Sequence, residues 1–160
     1  MSSADELKRI HIFEQLPTEL LEKLSAISQV TIFSERAVIF KNGQPAEYFY
    51  ALLKGKVLLE VELAEDILVS LDAIDPGEVF GWSAFFPRES YGAEAICAEP
   101  CEAVRFSREG LNQLMEEDPS LGYHLLKAVT SLLKTKVAKR TEHLLKILRM
   151  HPDLAEILPK

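Results

Sequence analysis

Cysteine is scarce in this sequence. Only Cys97 and Cys101 occur in 160 residues, so no disulfide framework holds the fold and no C-x2-C knuckle offers a zinc site. In the strand–turn–strand where they fall, the pair reads as reduced core thiols, with a redox pair as the alternative. The four histidines, His11, His124, His143 and His151, are scattered without H-x3-H or H-E-x-x-H spacing, and no metal is expected. Long apolar runs are also missing. None approaches the roughly 18 residues of a membrane span, and Met1–Ile10 lacks the apolar stretch of a signal peptide. A cytoplasmic protein with no membrane partner is expected. No nucleophile–base–orienter set is visible, so catalysis is not expected either.

What is present is a substantial apolar content. Hydrophobic residues make up 48% of the chain, enough for a real core at this length. Charge is unevenly spread. Through Asp118 there are 10 Lys and Arg against 22 Asp and Glu; from Pro119 onward there are 8 against 3. An acidic body of this kind is not expected to bind nucleic acid directly.

The pattern along the chain changes twice. Ile10, Ile12, Phe13 and Leu16 lead into a short helix opened by Pro17-Thr18-Glu19, with Thr18 as the expected cap and Leu20, Leu21, Leu24 and Ile27 on one face. Between Val30 and Phe106, short runs rich in Val, Ile, Leu, Phe and Tyr alternate with Asn42-Gly43, Lys54-Gly55, Asp75-Pro76-Gly77 and Glu99-Pro100. Such spacing predicts a sandwich or barrel. Gly81 to Phe86 interrupts it as one helical turn, followed by the polar loop Pro87–Gly92. After Phe106 the chain is helical again, with Ser107 as a cap and a new start at Asp118-Pro119. Leu121–Met150 then forms one long helix. Its stripe of Leu126, Val129, Leu133, Val137, Leu144 and Ile147 is broken at Arg140, where an apolar residue is due.

The glycines carry a family resemblance. Phe40–Pro45, then Tyr50-Ala51-Leu52-Leu53-Lys54-Gly55-Lys56-Val57, then Pro76-Gly77-Glu78-Val79-Phe80-Gly81 resemble the cyclic-nucleotide-binding domain. This fold is shared by the bacterial catabolite activators, the regulatory subunits of cyclic-AMP-dependent kinase and gated ion channels. The family pattern is Y-x-L-x-x-G-x-V, then P-G-E-x-F-G. The resemblance implies a mainly β fold with flanking helices: a double-stranded, jelly-roll-like β-roll with an N-terminal helix, an embedded short helix and a long C-terminal helix. One domain is expected over residues 1–150, with the roll at about 30–106, C-terminal helices at about 107–150 and a short tail at 151–160.

The resemblance also implies a regulatory, ligand-sensing module. A small anionic ligand, cyclic AMP or cyclic GMP in the family, would lie at the Gly81 turn, near Leu71 and Ala93–Ala95. The expected ligand-binding residues are Gly81, Trp82, Ser83, Ala84, Arg88, Tyr91, Gly92 and Ala93. Two departures stand out. The family places Glu directly after the glycine, where this chain has Trp82. The family Arg falls on Tyr91, or on Gly92 with a one-residue insertion. Losing a charge-assisted contact to phosphate costs about 1.5–3 kcal/mol. Arg88 is the nearby cation and could swing in or remain an exposed loop residue. Trp82 could stack on a ligand or fill the core, and Tyr91 could donate to an anion or simply pack. Ser83 could add a hydroxyl or cap the turn.

The helix Leu121–Met150 resembles the pairing helix of the activators, which implies a homodimer, against packing within one chain. Lys134, Lys136, Lys139, Arg140, Lys146 and Arg149 make it basic, which reads as a solvated face or as a complement to the acidic body. About ten residues follow it, where activators carry a helix-turn-helix domain, so a self-sufficient transcription factor is not expected. An unidentified protein effector, or a degenerate module whose task is dimerisation or docking, is the alternative.

Overall fold

The apolar runs between residues 28 and 107 become eight strands in a computed structural model that describes residues 2–155. The strands are β1 (Ser28–Phe33), β2 (Val38–Phe40), β3 (Tyr48–Lys54), β4 (Val57–Ala64), β5 (Ile67–Ile74), β6 (Val79–Phe80), β7 (Glu94–Cys97) and β8 (Cys101–Ser107). The helices are α1 (Ala4–Leu7), α2 (Thr18–Ile27), α3 (Arg108–Glu117), α4 (Pro119–Met150) and α5 (Pro152–Ala155). 3-10 turns lie at His11–Phe13 and Trp82–Phe85. The expected tail therefore holds α5, and its last residues lie outside the described residues.

All strand pairs are antiparallel, in two four-stranded sheets ordered β1-β8-β3-β6 and β2-β7-β4-β5. This is the expected β-roll with its flanking helices. Strand β3 is central, and Phe49–Leu52 are buried without a break, as a strand covered on both faces must be. Alternation sends Phe49 and Tyr50 into different aromatic groups. Phe49 packs against Phe85 and Phe106, and Phe106 meets Phe13 of the first 3-10 turn. Tyr50 stacks on Phe80 and packs against Phe40. Full burial of one such side chain contributes about 1.5–3 kcal/mol.

Local chemistry sets the helix ends. Ser107 caps α3 by accepting from the Gly110 N–H at 3.0 Å, and Asp118 caps α4 by accepting from the Leu121 N–H at 3.1 Å. Pro119 fits the first position of α4, where its missing N–H costs nothing. Thr18 is not the cap expected for α2. Pro17 takes that place without a side-chain bond, and Thr18 is the first helical residue. Helix α1 was not anticipated, although Ser3 and Glu6 form a reciprocal capping box that the sequence contains. Gly55, at φ 93°, closes the β3–β4 turn. A Cβ there would collide with the Pro100 carbonyl and stand 2.8 Å from Cys101 Sγ, so glycine is required.

Helix α4 changes character along its length. Leu121, Leu125 and Val129 are buried against the body. Leu126, Val137, Leu144 and Ile147 are exposed, and from Val137 to Met150 every residue is. No helix among the described residues is long and apolar enough to cross a membrane.

Candidate functional site

The strand β6 ends at Phe80, and Gly81 turns the chain through φ 76° into the 3-10 turn Trp82–Phe85. Any Cβ on Gly81 would stand 3.1 Å from the Tyr48 carbonyl oxygen and 3.3 Å from the Tyr91 ring. That crowding and the left-handed conformation together fix glycine here. Beside it lies a cavity of about 160 Å³ bounded by strands β2, β4 and β5 of one sheet, the Gly81 turn, the segment 91–93 and α4. Six of the eight residues expected from the sequence line it: Gly81, Trp82, Ser83, Tyr91, Gly92 and Ala93. Leu71 of β5 lines it as well. Ala84 is fully buried in the core and Arg88 is exposed; neither is on the cavity wall.

Backbone bonds hold the loop that carries Arg88. The Ala46 N–H donates to the Glu89 carbonyl at 3.0 Å and the Tyr91 N–H donates to the Gln44 carbonyl at 3.0 Å, and the Arg108 guanidinium adds a side-chain bond to the Glu89 carbonyl at 3.0 Å. Arg88 itself sits at φ 61°. These bonds account for its place away from the cavity.

Tyr91 is packed and occupied. Its ring stacks on Phe40 at 3.6 Å between centroids. Its hydroxyl donates to the Tyr48 carbonyl at 2.6 Å and accepts from the Tyr48 N–H at 3.1 Å. Burial pushes its phenol above the ordinary value, partly offset by the bond to Tyr48, so it stays protonated at neutral pH. The hydroxyl has spent its proton on protein, and a ligand anion would have to displace that bond.

The cation on the cavity comes from elsewhere. Arg140 of α4 lines it, and it is the one charged residue among the described lining residues. Among the described residues it forms no ion pair. In the sequence it appears as the break in the apolar stripe of the long helix; nothing local connects it to Gly81, some sixty residues earlier in the chain. A neighbouring residue on the same helix ties three elements together. Lys136 pairs with Asp72 of β5, both largely shielded from solvent, and its ammonium stands 5.6 Å from the centre of the Trp82 ring. Trp82 is thus neither fully buried nor free; it lies between the cavity and Lys136.

The expected cysteine alternatives can be compared in the same terms. Cys97 and Cys101 are both buried, and burial followed by the neighbouring Cys101 pushes the Cys97 thiol up to about 12. A protonated, buried thiol is a poor nucleophile, which favours a structural pair. Among the described residues no group of three or more His, Cys, Asp or Glu is placed to hold a metal ion.

A model of the cyclic nucleotide-binding domain matches residues 30–118. The chain belongs to the cyclic nucleotide-binding domain family. It is similar to the global nitrogen regulator of a Synechocystis strain, at 30% identity over 81% of this chain and 57% of that protein. It therefore spans a little under three fifths of that regulator's length. Its fold matches a cyclic nucleotide-binding domain from Methylobacillus flagellatus with a TM-score of 0.81 at 18% identity, covering 89% of this chain and 84% of that one. It also matches the sensor domain of the transcriptional regulator DNR from Pseudomonas aeruginosa, TM-score 0.67 at 25% identity, covering 84% and 90%. The chain is thus a regulatory-type domain of this family by membership, and the Synechocystis and Pseudomonas proteins are named as regulators.

Proposed function

We propose that this chain is a cytoplasmic, non-catalytic sensing module that binds a small anionic ligand in the Gly81 cavity and signals through α4. The observation that carries the reading is the placement of Arg140. The signalling helix itself supplies the cation of the cavity, so any anion held there pulls on α4. The Lys136–Asp72 pair and its contact with Trp82 give the same event a second path into the helix. A ligand shifts such an equilibrium only by its differential affinity for the two helix positions, and a charge-assisted contact to a movable helix provides that difference.

The cyclic nucleotides of the family fit less well than a smaller anion. The cavity of about 160 Å³ lies below the roughly 300 Å³ at which ordinary ligand pockets begin. Tyr91, moreover, has its hydroxyl bonded to Tyr48 on the face where the family places a phosphate-binding arginine. Calorimetric titration of the full chain with cyclic AMP, cyclic GMP and propylphosphonate tests the reading. Propylphosphonate is expected to bind, and Arg140→Ala to weaken it about tenfold to a hundredfold. No binding of any of the three at millimolar concentration would sink it.

A second reading, pairing of two copies through α4 without any ligand, is favoured by the exposed stripe of Val137, Leu144 and Ile147. Arg140 occupies the edge between that stripe and the body-facing side of the helix, so the two readings share a residue. Sedimentation of the ligand-free chain separates them: pairing that ignores added anion supports the second alone.

A further inference from the structure

Helix α4 leaves the body at one identifiable point. Leu132 and Leu133 still pack partly against the core, and Lys136 is the last residue of the helix that is not exposed. There α4 is joined to β5 by the Lys136–Asp72 pair, whose partners lie 64 positions apart in the chain. Beyond it, among the described residues, no side-chain hydrogen bond or ion pair ties α4 to the body. Asp72 directly follows Leu71, which lines the Gly81 cavity, and Arg140 stands about one helical turn past Lys136.

The pair also differs from the other ion pairs of the chain. Its side chains are 15% and 21% exposed, whereas the lysines of the other described pairs are 39% exposed or more. Water screens an exposed pair, so it restrains little; a pair shielded from water keeps its geometry, because separating it leaves a charge without a partner. The Lys136 ammonium is in addition 5.6 Å from the centre of the Trp82 ring, on the cavity wall. Strand, helix and cavity turn thus meet at this pair. Neither Asp72 nor Lys136 lines the cavity itself, so neither is placed to touch a ligand there.

Resting on the reading of the Gly81 cavity above, we infer that Asp72 and Lys136 are positioning residues: their pair anchors α4 on β5 and so holds Arg140 at the cavity. Without the anchor, the exposed part of α4 can swing about its buried first turns and carry Arg140 away while the core stays intact. With it, the cation is ordered before the ligand arrives, and binding does not have to order it.

Removing one partner alone strands the other charge, so the test removes both. Asp72→Asn together with Lys136→Gln leaves the local net charge unchanged. In the ligand-free full chain, hydrogen exchange of the amides of residues 133–143 is expected to quicken at least about tenfold, while those of β3 and β8 keep their protection. Propylphosphonate affinity, by calorimetry, is expected to fall about tenfold. In Arg140→Ala the same double change is expected to weaken binding no further, a dependence that a pair serving the fold alone does not show. Unaltered exchange at residues 133–143 overturns the inference whatever the ligand does. An unaltered affinity, or a loss of equal size with and without Arg140, overturns it as well, because Arg140 is then not what the pair holds. If exchange quickens but the unaltered chain binds no propylphosphonate, the anchor stands and the cavity reading falls.

Discussion

At the scale of single residues, the site is governed by two positions, Gly81, which the family pattern supplies, and Tyr91, which it does not. Tyr91 fills the space beside Gly81 with a stacked ring and a hydroxyl already bonded at both its donor and acceptor. Gly81 in turn is pressed against Tyr48 and Tyr91. Replacing Gly81 with alanine forces a Cβ into a left-handed backbone and toward the Tyr48 carbonyl. The expected cost is about 1–2 kcal/mol, read as a lower midpoint in urea unfolding. An unchanged midpoint would mean that the turn relaxes to another conformation. The glycine was legible in the sequence because P-G-E-x-F-G places it. The fate of Arg88 was not, because its loop is held by backbone bonds from Ala46 to Glu89 and from Tyr91 to Gln44, whose distant ends lie some forty residues earlier in the chain.

At the scale of elements, the strands were the most readable part. Apolar runs with Gly, Pro and Asn punctuation mark short strands throughout Val30–Phe106, where the structure has eight strands. Ser107 and Asp118 cap as their residue types predict, while Pro17 takes the place expected of Thr18 and Ser3 with Glu6 forms a box at a helix of only four residues. Asp118 also joins helices that the sequence keeps apart, accepting from Lys23 of α2 at 2.6 Å. The Lys23 bond, then the Leu121 N–H, holds the Asp118 carboxyl below its ordinary value, and the bond to Asp118 raises Lys23. The sign of the linkage follows. The Asp118 contribution is present above the ordinary carboxylate range and is lost as pH falls through its lowered folded value. The stability gap between the unaltered chain and Asp118→Asn is therefore expected to close as pH drops below about 4. A gap that is constant with pH would show that the pair contributes packing alone.

At the scale of the whole molecule, two sheets make a fixed scaffold and α4 lies against it with only its first turns buried. The sequence showed the helix and its stripe but not what the break at Arg140 meant. Register along a helix says which face a residue is on; which part of the roll that face meets depends on how the helix crosses it. The structure puts Arg140 on the cavity. The chain has a single tryptophan, and Trp82 lines the same cavity. Its fluorescence is therefore a direct reporter. Titrating the full chain with propylphosphonate is expected to give a saturable change in Trp82 emission that Arg140→Ala shifts to at least about tenfold higher concentration. A saturable change of unaltered midpoint in Arg140→Ala, or no change in the unaltered chain, would contradict the claim that α4 holds the ligand's anion.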